Sequence, residues 1–256
     1  MKADGSGQRL LTRNLADPRW FAWSPDGRKI AFDSGRGNGR EIYVTNADGS
    51  GERRLTRNGV DDRFAGWSPD GRKIAFISGY FKSYVYVMNA DGSGKRRLTR
   101  PVNGAAVAAW SPDGGKIAFT SDRVAPSGDV RSGVYVMNAD GSDQRLLTRN
   151  PSDASLAGWS PNSRKIAFLS GPGSVDIYVM NADGSGQRNL TRNPANDRFG
   201  GWSSDGQRIA FTTDRDGNDE IYVMNADGTA RQDGTARQNV TRNRASDSLP
   251  AWSPTP

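Results

Sequence analysis

Arginine and aspartate side chains recur just ahead of six regularly spaced tryptophans, and they are the groups in this chain best suited to chemistry. Arg19, Arg63 and Arg198 share one position of this pattern. The acids near them are Asp17, Asp62, Asp153, Asp197 and Asp247. A guanidinium forms paired hydrogen bonds with carboxylates and phosphates, so such a rim could receive a peptide end or an anionic group. Short turns held by arginine–aspartate ion pairs contain the same residues, and the sequence leaves both interpretations open.

Trp20 stands three residues before the first of these tryptophans, in a slot that is apolar every time. The slot holds Trp20, Phe64, Val107, Leu156, Phe199 and Leu249. This uniformity favours packing between neighbouring repeats over a ligand platform. Trp20 is the only tryptophan among them and the member best suited to bind a ligand. The predicted binding residues are therefore Arg19, Trp20, Asp62, Arg63, Asp197, Arg198 and Asp247.

Histidine and cysteine are absent, which excludes disulfides, Cys/His zinc sites and Ser-His-Asp triads. The segment Asp214–Glu220 resembles part of a calcium loop, with alternating oxygen-bearing side chains and a glycine. It lacks the length and spacing of an EF-hand loop and fits a turn equally well. No pair of carboxylates stands out from the repeats as a glycosidase pair would. We predict no catalytic residue, no metal site and no cofactor.

These residues are positioned by a ten-residue stretch, Trp67–Phe76 (WSPDGRKIAF), which the chain repeats almost verbatim. Related stretches begin at Trp23, Trp110, Trp159 and Trp202, and another starts at Trp252. The tryptophans are 44, 43, 49, 43 and 50 residues apart. A period in the low forties built from short β-type segments is typical of a β-propeller.

One full unit shows four predicted strands joined by turns, which makes one antiparallel blade. Strands A to D are expected at Phe64–Trp67, Lys73–Ser78, Tyr84–Met88 and Lys95–Thr99. Ser68–Gly71 (SPDG) suits a type I turn, and Asn89–Gly92 (NADG) suits a second turn in which Asn89 bonds its own backbone. A longer loop is expected at Asp122–Gly133.

The two ends of the chain supply only part of a further unit. Residues 1–12 align with a turn end and a D strand, and Leu249–Ser253 align with an A strand. We therefore predict one propeller domain over residues 1–256, with five complete blades and the inner and outer strands of a sixth. Because A and D strands are not neighbours in a blade, Trp252 would lie on an open edge. Self-association is the favoured outcome, with a five-bladed ring or an open ring as alternatives.

The phrases WSPDGRKIAF, EIYV and NADGSG resemble the repeat of TolB-type six-bladed propellers over essentially the whole chain. The resemblance implies a non-enzymatic scaffold for envelope proteins or peptides, located in the periplasm or outside the cell. It also implies that residues 250–254 (PAWSP) close the ring against N-terminal strands. We expect this chain to depart from the family pattern in two ways. It lacks the N-terminal domain of TolB, and it lacks strands B and C of the closing unit.

The two ends of the blades differ in how much they vary between units. The SPDG and NADG turns, which connect A to B and C to D, are nearly invariant. The B–C loops and D–A segments vary freely, and varied loops on a rigid frame are where binding usually resides. We call the latter the variable end and the former the invariant end, and we predict binding at the variable end.

Composition narrows the partner class. The chain has 35 Lys and Arg against 28 Asp and Glu, a net charge of +7, which favours acidic partners weakly and in a salt-dependent way. The basic residues recur once per repeat without stacked aromatics, so nucleic acid is not favoured. No apolar run approaches the ~20 residues that span a bilayer, and no signal peptide follows Met1.

Two alternatives to a protein- or peptide-binding scaffold stay open. An engineered or architectural array without a ligand would explain the near-identical units and the hexapeptide DGTARQ, written twice in residues 227–238. A propeller-type glycan lyase or hydrolase would need one blade that breaks the pattern with inward acids or bases. None clearly does.

Overall fold

The computed structural model describes residues 12, 19–36, 39–80, 82–100, 102–103, 108–124, 130–148, 153–228, 237–241, 246–247, 250 and 252. All the regular structure in these residues is β-strand. Accordingly, no helix in the described part of the chain is long and apolar enough to cross a membrane. Contacts group the chain into two compact units, Met1–Trp110 and Ser111–Pro256.

Unit 1 begins with two complete four-stranded blades. The first blade consists of β1 (Phe21–Trp23), β2 (Lys29–Ser34), β3 (Glu41–Asn46) and β4 (Arg53–Arg54). The second consists of β5 (Asp62–Trp67), β6 (Lys73–Ser78), β7 (Lys82–Asn89) and β8 (Arg96–Arg97). Each strand pairs antiparallel with the next. β9 (Val102–Asn103), which also pairs with β7, and β10 (Ala108–Trp110) complete the unit.

Unit 2 repeats the same order of strands. It starts with β11 (Lys116–Val124), β12 (Val130–Asn138) and β13 (Arg145–Leu146). The fourth blade consists of β14 (Ser155–Trp159), β15 (Lys165–Ser170), β16 (Asp176–Asn181) and β17 (Arg188–Asn189). The fifth consists of β18 (Asp197–Trp202), β19 (Arg208–Thr213), β20 (Glu220–Asn225) and β21 (Arg237–Asn239). The predicted A–B–C–D meander is confirmed in these blades.

The invariant turns are held by local hydrogen bonds. The Gly71 N–H donates to the Ser68 carbonyl at 2.8 Å, which confirms the predicted four-residue turn. Gly71 has a φ of 69°, a left-handed value that suits glycine. In the NADG turn Asp91, rather than Asn89, binds the backbone: its carboxylate accepts the Ser93 N–H at 2.9 Å.

Neighbouring blades bury apolar faces against each other. In unit 1 one cluster joins Ile42, Val44 and Leu55 of the first blade to Phe64, Trp67, Ile74, Phe76 and Met88 of the second. In unit 2 another joins Ile177, Val179 and Leu190 of the fourth blade to Trp202, Ile209, Phe211 and Met224 of the fifth. Each large side chain buried this way stabilises the fold by roughly 1.5–3 kcal/mol. The Trp67 indole N–H also donates to the Ala22 carbonyl at 3.2 Å, tying one inner strand to the next.

Inner strands β5, β14 and β18 contain a β-bulge. In β5 the register shifts between Phe64 and Gly66, so that Phe64 lies opposite Phe76. Gly66 has a φ of 150°, and Gly201 of β18, at the equivalent bulge, has a φ of 151°. Residues with a Cβ rarely adopt such values, so glycine at this position permits the extra residue.

The first inner strand, β1, has Ala22 at that position and pairs without a bulge. Phe21 therefore lies opposite Phe32. Trp20 is displaced by one position, and its carbonyl accepts the Asp33 N–H at 3.1 Å. The prediction that Trp20 has the same position in its blade as Phe64 is therefore wrong, because Phe21 has that position.

The predicted loop 122–133 is also different in the structure. β11 and β12 stay paired through Asp122–Ser132, Arg123–Arg131 and Val124–Val130. The two strands thus extend into the predicted loop as a hairpin. The predicted D strand in residues 1–12, apart from Thr12, and most of the predicted closing strand at Leu249–Ser253 lie outside the described residues, as do Asp17 and Val107.

Candidate functional site

The D–A segments and the B–C loops meet at the variable end, through backbone hydrogen bonds in both units. In unit 1 the Asp62 N–H donates to the Arg40 carbonyl at 2.7 Å, and the Gly79 N–H donates to the Asp61 carbonyl at 2.9 Å. In unit 2 the Asp197 N–H donates to the Val175 carbonyl at 2.8 Å. Each D–A segment is therefore fastened to neighbouring B–C loops.

Asp62 is a buried anchor of this junction. Asn58 donates its side-chain amide to both carboxylate oxygens of Asp62, at 3.1 and 3.3 Å. The backbone N–H of Asn58 points at Glu41, which also accepts a 2.6 Å bond from Arg54. Burial raises the pKa of the Asp62 carboxyl, and the nearby Glu41 charge raises it further, against hydrogen bonds from Ser78, Thr56 and Asn58. Asp62 thus fixes the D–A segment from the protein interior.

Asp197 has the same place in unit 2. The Asn193 side-chain amide donates to Asp197 at 3.0 Å, and the Asn193 N–H donates to Asp176 at 3.3 Å. Arg215 adds a 3.1 Å ion pair to Asp197. The carboxylates of Asp62 and Asp197 are therefore enclosed and engaged within the protein.

The arginines are more accessible. The Arg198 side chain is 64% exposed and pairs with Asp219 of a B–C loop at 2.7 Å. Asp247 is half-buried, and its N–H donates to the carbonyl of the same Asp219 at 2.7 Å. Arg198 and Asp247 are thus both bonded to Asp219. Arg63 is half-buried and Arg19 is exposed.

The backbone of Trp20 is hydrogen-bonded to a buried ion pair that sequence spacing did not identify. Its side chain is 56% exposed, and its carbonyl accepts from Asp33, which is fully buried. Asp33 accepts a 2.7 Å bond from Arg40 and a 3.1 Å bond from the Phe64 N–H. Asp33 itself could have revealed this ion pair in the sequence, because the matching position of other B strands holds Ile77, Leu169 or Thr212.

Two further exposed side chains were missed at the variable end of unit 1. Val60 is on the D–A segment, and Tyr80, 69% exposed, is on the B–C loop beside it. Large exposed apolar side chains near arginine are typical of interaction surfaces. We call Trp20, Val60, Arg63 and Tyr80 the unit 1 patch.

In the segment Asp214–Glu220, which resembles part of a calcium loop, the acids accept hydrogen bonds from other residues of the protein. Asp214 accepts the Asn196 N–H at 3.0 Å, Asp216 accepts the Tyr222 hydroxyl, and Glu220 accepts the Thr241 hydroxyl. Within the described residues no group of three or more acids could hold a metal ion.

The invariant end of unit 2 carries a cleft of about 680 Å³. Its lining includes Arg164, Lys165, Asp205, Arg208, Asn225 and Asp227. These are residues of the SPDG- and NADG-type turns and adjoining strand ends, mixed in charge. The cleft is thus separate from the predicted binding residues.

The chain was compared with known families, curated proteins and solved structures. A family model of the TolB beta propeller domain matches residues 66–171 and 151–255. No curated protein gave a significant match. Because the two family matches together cover well over half of the chain, they establish its family.

Solved structures agree with that fold. The putative TolB from Agrobacterium tumefaciens is 23% identical with a TM-score of 0.60, over 79% of this chain and 70% of that one. TolB from Acinetobacter baumannii is 24% identical with a TM-score of 0.63, over 83% and 53%. The β-propeller domain of the Trilobed protease from Pyrococcus furiosus, reported to have an open velcro topology, is 15% identical with a TM-score of 0.66, over 89% and 70%.

The chain spans only about half of the Acinetobacter protein's length, and at these identities the structural likenesses show the fold alone. Together with the four-stranded antiparallel blades, they confirm the predicted all-β propeller of TolB type. On the family match, the chain belongs to the TolB β-propeller family.

Proposed function

We propose that this protein is a non-enzymatic scaffold that binds a protein or peptide at the variable end of its blades. The observation that carries the proposal is the unit 1 patch, in which Trp20 and Tyr80 are exposed and Arg63 is half-buried. Hydrogen bonds join the segments that carry them, from Gly79 to Asp61 and from Phe64 to Asp33. Tryptophan, tyrosine and arginine contribute most of the binding energy in many interfaces. In unit 2, Arg198 and Asp219 offer a charged counterpart.

The buried acids support this proposal by fixing the patch. Asp62 and Asn58 fasten the D–A segment that carries Val60 and leads into β5, where Arg63 lies. A pre-ordered surface loses less conformational entropy when a partner binds. In this reading Asp62 and Asp197 position the binding surface, while Trp20, Arg63 and Arg198 contact the partner.

Peptides selected from a random display library on the immobilised protein provide the probe. We expect Trp20→Ala and Tyr80→Ala to weaken the selected peptides at least about tenfold, as hot-spot truncations do. Arg28→Glu and Arg72→Glu, on exposed A–B turns of the same unit, are the matched controls and should change affinity little. The reverse pattern would place binding at the invariant end.

We further propose that the partner is acidic and that the protein works in the periplasm or outside the cell. The net charge of +7 supports the first part, and the TolB-type resemblance supports the second. Affinity for an acidic peptide should then fall as salt rises from about 0.05 to 0.5 M, because screening shortens the range of charge attraction. An affinity that does not change with salt would contradict an acidic partner.

We also propose that copies of the chain associate through the fifth blade. Its Ile221 and Val223 are half-buried and Val240 is 49% exposed, whereas Ile42, Val44 and Leu55 are buried by the next blade. An apolar sheet face of this type favours a protein partner. Sedimentation across dilution should show a mass that rises with concentration, and Val240→Glu should reduce it. A constant monomer mass would contradict association.

The peptidase propellers among the similar structures raise the alternative of an enzyme-associated domain. The matched prolyl endopeptidase is 14% identical, and the match covers 36% of its chain. Such a likeness concerns the fold, so we propose binding rather than catalysis for this chain.

A further inference from the structure

Trp252 lies against the inner strand of the fifth blade, β18. Its indole N–H donates to the Gly201 carbonyl at 3.0 Å, and the Arg208 guanidinium lies 4.9 Å from the centre of its ring system. In unit 1, Trp67 donates to the Ala22 carbonyl in the same way. Both carbonyls belong to the residue just before a blade's own tryptophan. Trp252 therefore has the place on the fifth blade that the next tryptophan has on the first.

Pro250 fits a gap that only glycine leaves open. A Cβ on Gly200 would lie 2.3 Å from the Cγ atom of Pro250. The equivalents of Gly200 in the three preceding repeats are Ala65, Ala108 and Ala157, and none of the equivalent residues apart from Pro250 is proline. Gly200 and Pro250, which both depart from the alanine of the three preceding repeats, thus meet each other.

The segment is also held at its other end. The Asp247 N–H donates to the Asp219 carbonyl, as Asp62 does to Arg40 in unit 1. Contacts are thereby made at Asp247, Pro250 and Trp252. β18 offers the segment a proline-sized gap and a carbonyl acceptor for an indole N–H. Arg208 of β19 adds a cation over the indole ring.

We propose that this groove of the fifth blade is a recognition site for a Pro–x–Trp segment, and that a second copy of the chain can supply it. Trp252 is only half-buried, and a segment from another copy would make the same contacts as the chain's own. Exchange of identical elements is a low-cost route to association, governed by concentration. The source of the segment rests on the self-association proposed above, whereas the groove rests on its own contacts.

A labelled peptide of residues 246–256, titrated into full-length chain carrying Trp252→Ala, tests the groove. We expect saturable binding that weakens at least about tenfold when the peptide's tryptophan is replaced by alanine. Gly200→Val in the protein should weaken it similarly. Gly173→Val is the control and should have no effect, because a Cβ there meets open space. Absence of binding, or binding indifferent to Gly200→Val, would overturn the groove.

The wild-type chain gives a second measurement that does not depend on the folding of a variant. Light scattering should show an average mass that falls when excess peptide is added, because the peptide competes with segments of other copies. A mass that is monomeric throughout would overturn supply by a second copy. A mass above the monomer that excess peptide leaves unchanged would also overturn it, while leaving association through Val240 in place. Neither result bears on binding at the variable end.

Discussion

At the scale of single residues, the repeated tryptophans differ in what covers them. Trp67 is 8% exposed within the cluster between the first two blades, while Trp23, at the same position of the repeat, is 51% exposed. The sequence places both tryptophans at the start of the same repeated stretch. It could not predict the exposure of Trp23, because exposure depends on what lies beside β1.

Replacing these two tryptophans should therefore have unequal effects. Trp67→Ala should lower the free energy of unfolding by about 3–5 kcal/mol, since it removes a buried ring and leaves a cavity. Trp23→Ala is the matched control and should cost about 1 kcal/mol or less, as substitutions at exposed positions do. Denaturant titration measures both, and equal losses would contradict the burial described here.

Asp62 gives a pH-dependent prediction. Burial raises the pKa of its carboxyl in the folded state, so the stability linked to its protonated form is fully present below the unfolded pKa. That stability is lost as pH rises through the folded pKa. Asp62→Asn removes the titration. The free energy of unfolding of the variant minus that of the wild type should therefore rise as pH increases from about 3.9.

Asp70 is the control of opposite sign. The Ser68 hydroxyl and the Arg72 N–H lower the pKa of its carboxyl, so its stabilising contribution is lost as pH falls through the folded pKa. For Asp70→Asn the same difference should fall as pH rises toward the unfolded pKa. Denaturant titrations over a pH series test both, and slopes of the same sign would contradict the assignment.

At the scale of elements, the repeat predicted the order of strands and the invariant turns because both depend on local residue types. The register of β1 depends on whether a bulge forms, and a bulge is a feature of the paired backbone, as in β5, β14 and β18. The extended β11–β12 hairpin depends on pairing across the sheet. Neither can be read from strand propensity alone.

The SPDG turn offers a test at this scale. Gly71→Val should destabilise the protein by about 1–3 kcal/mol, because valine is strained at the φ of 69° found there. Gly115 follows the equivalent turn of the third repeat, and a Cβ there would contact only Asp113, at 3.5 and 3.9 Å. Gly115→Val should cost far less. Thermal melts that shift equally for both would contradict a structural role for the left-handed glycine.

At the scale of the whole molecule, the repeat and its resemblance predicted the fold and the family, and the family match confirms both. The candidate site was predicted less completely. Sequence spacing identified Trp20, Arg63 and Arg198, which are at least partly accessible. It could not separate them from Asp62 and Asp197, which are buried, or find Tyr80, whose B–C loop differs in sequence from those of the other repeats.

Binding at the variable end is tested most directly by a hydrogen-exchange footprint. Amide exchange is measured for the wild-type chain alone and with a display-selected peptide bound. The proposal predicts slower exchange in residues 58–64 and 79–84, where the D–A segment and B–C loop meet at the unit 1 patch. Slower exchange confined to residues 24–29, 46–50, 68–73 and 89–94, the invariant turns of the same unit, would contradict it.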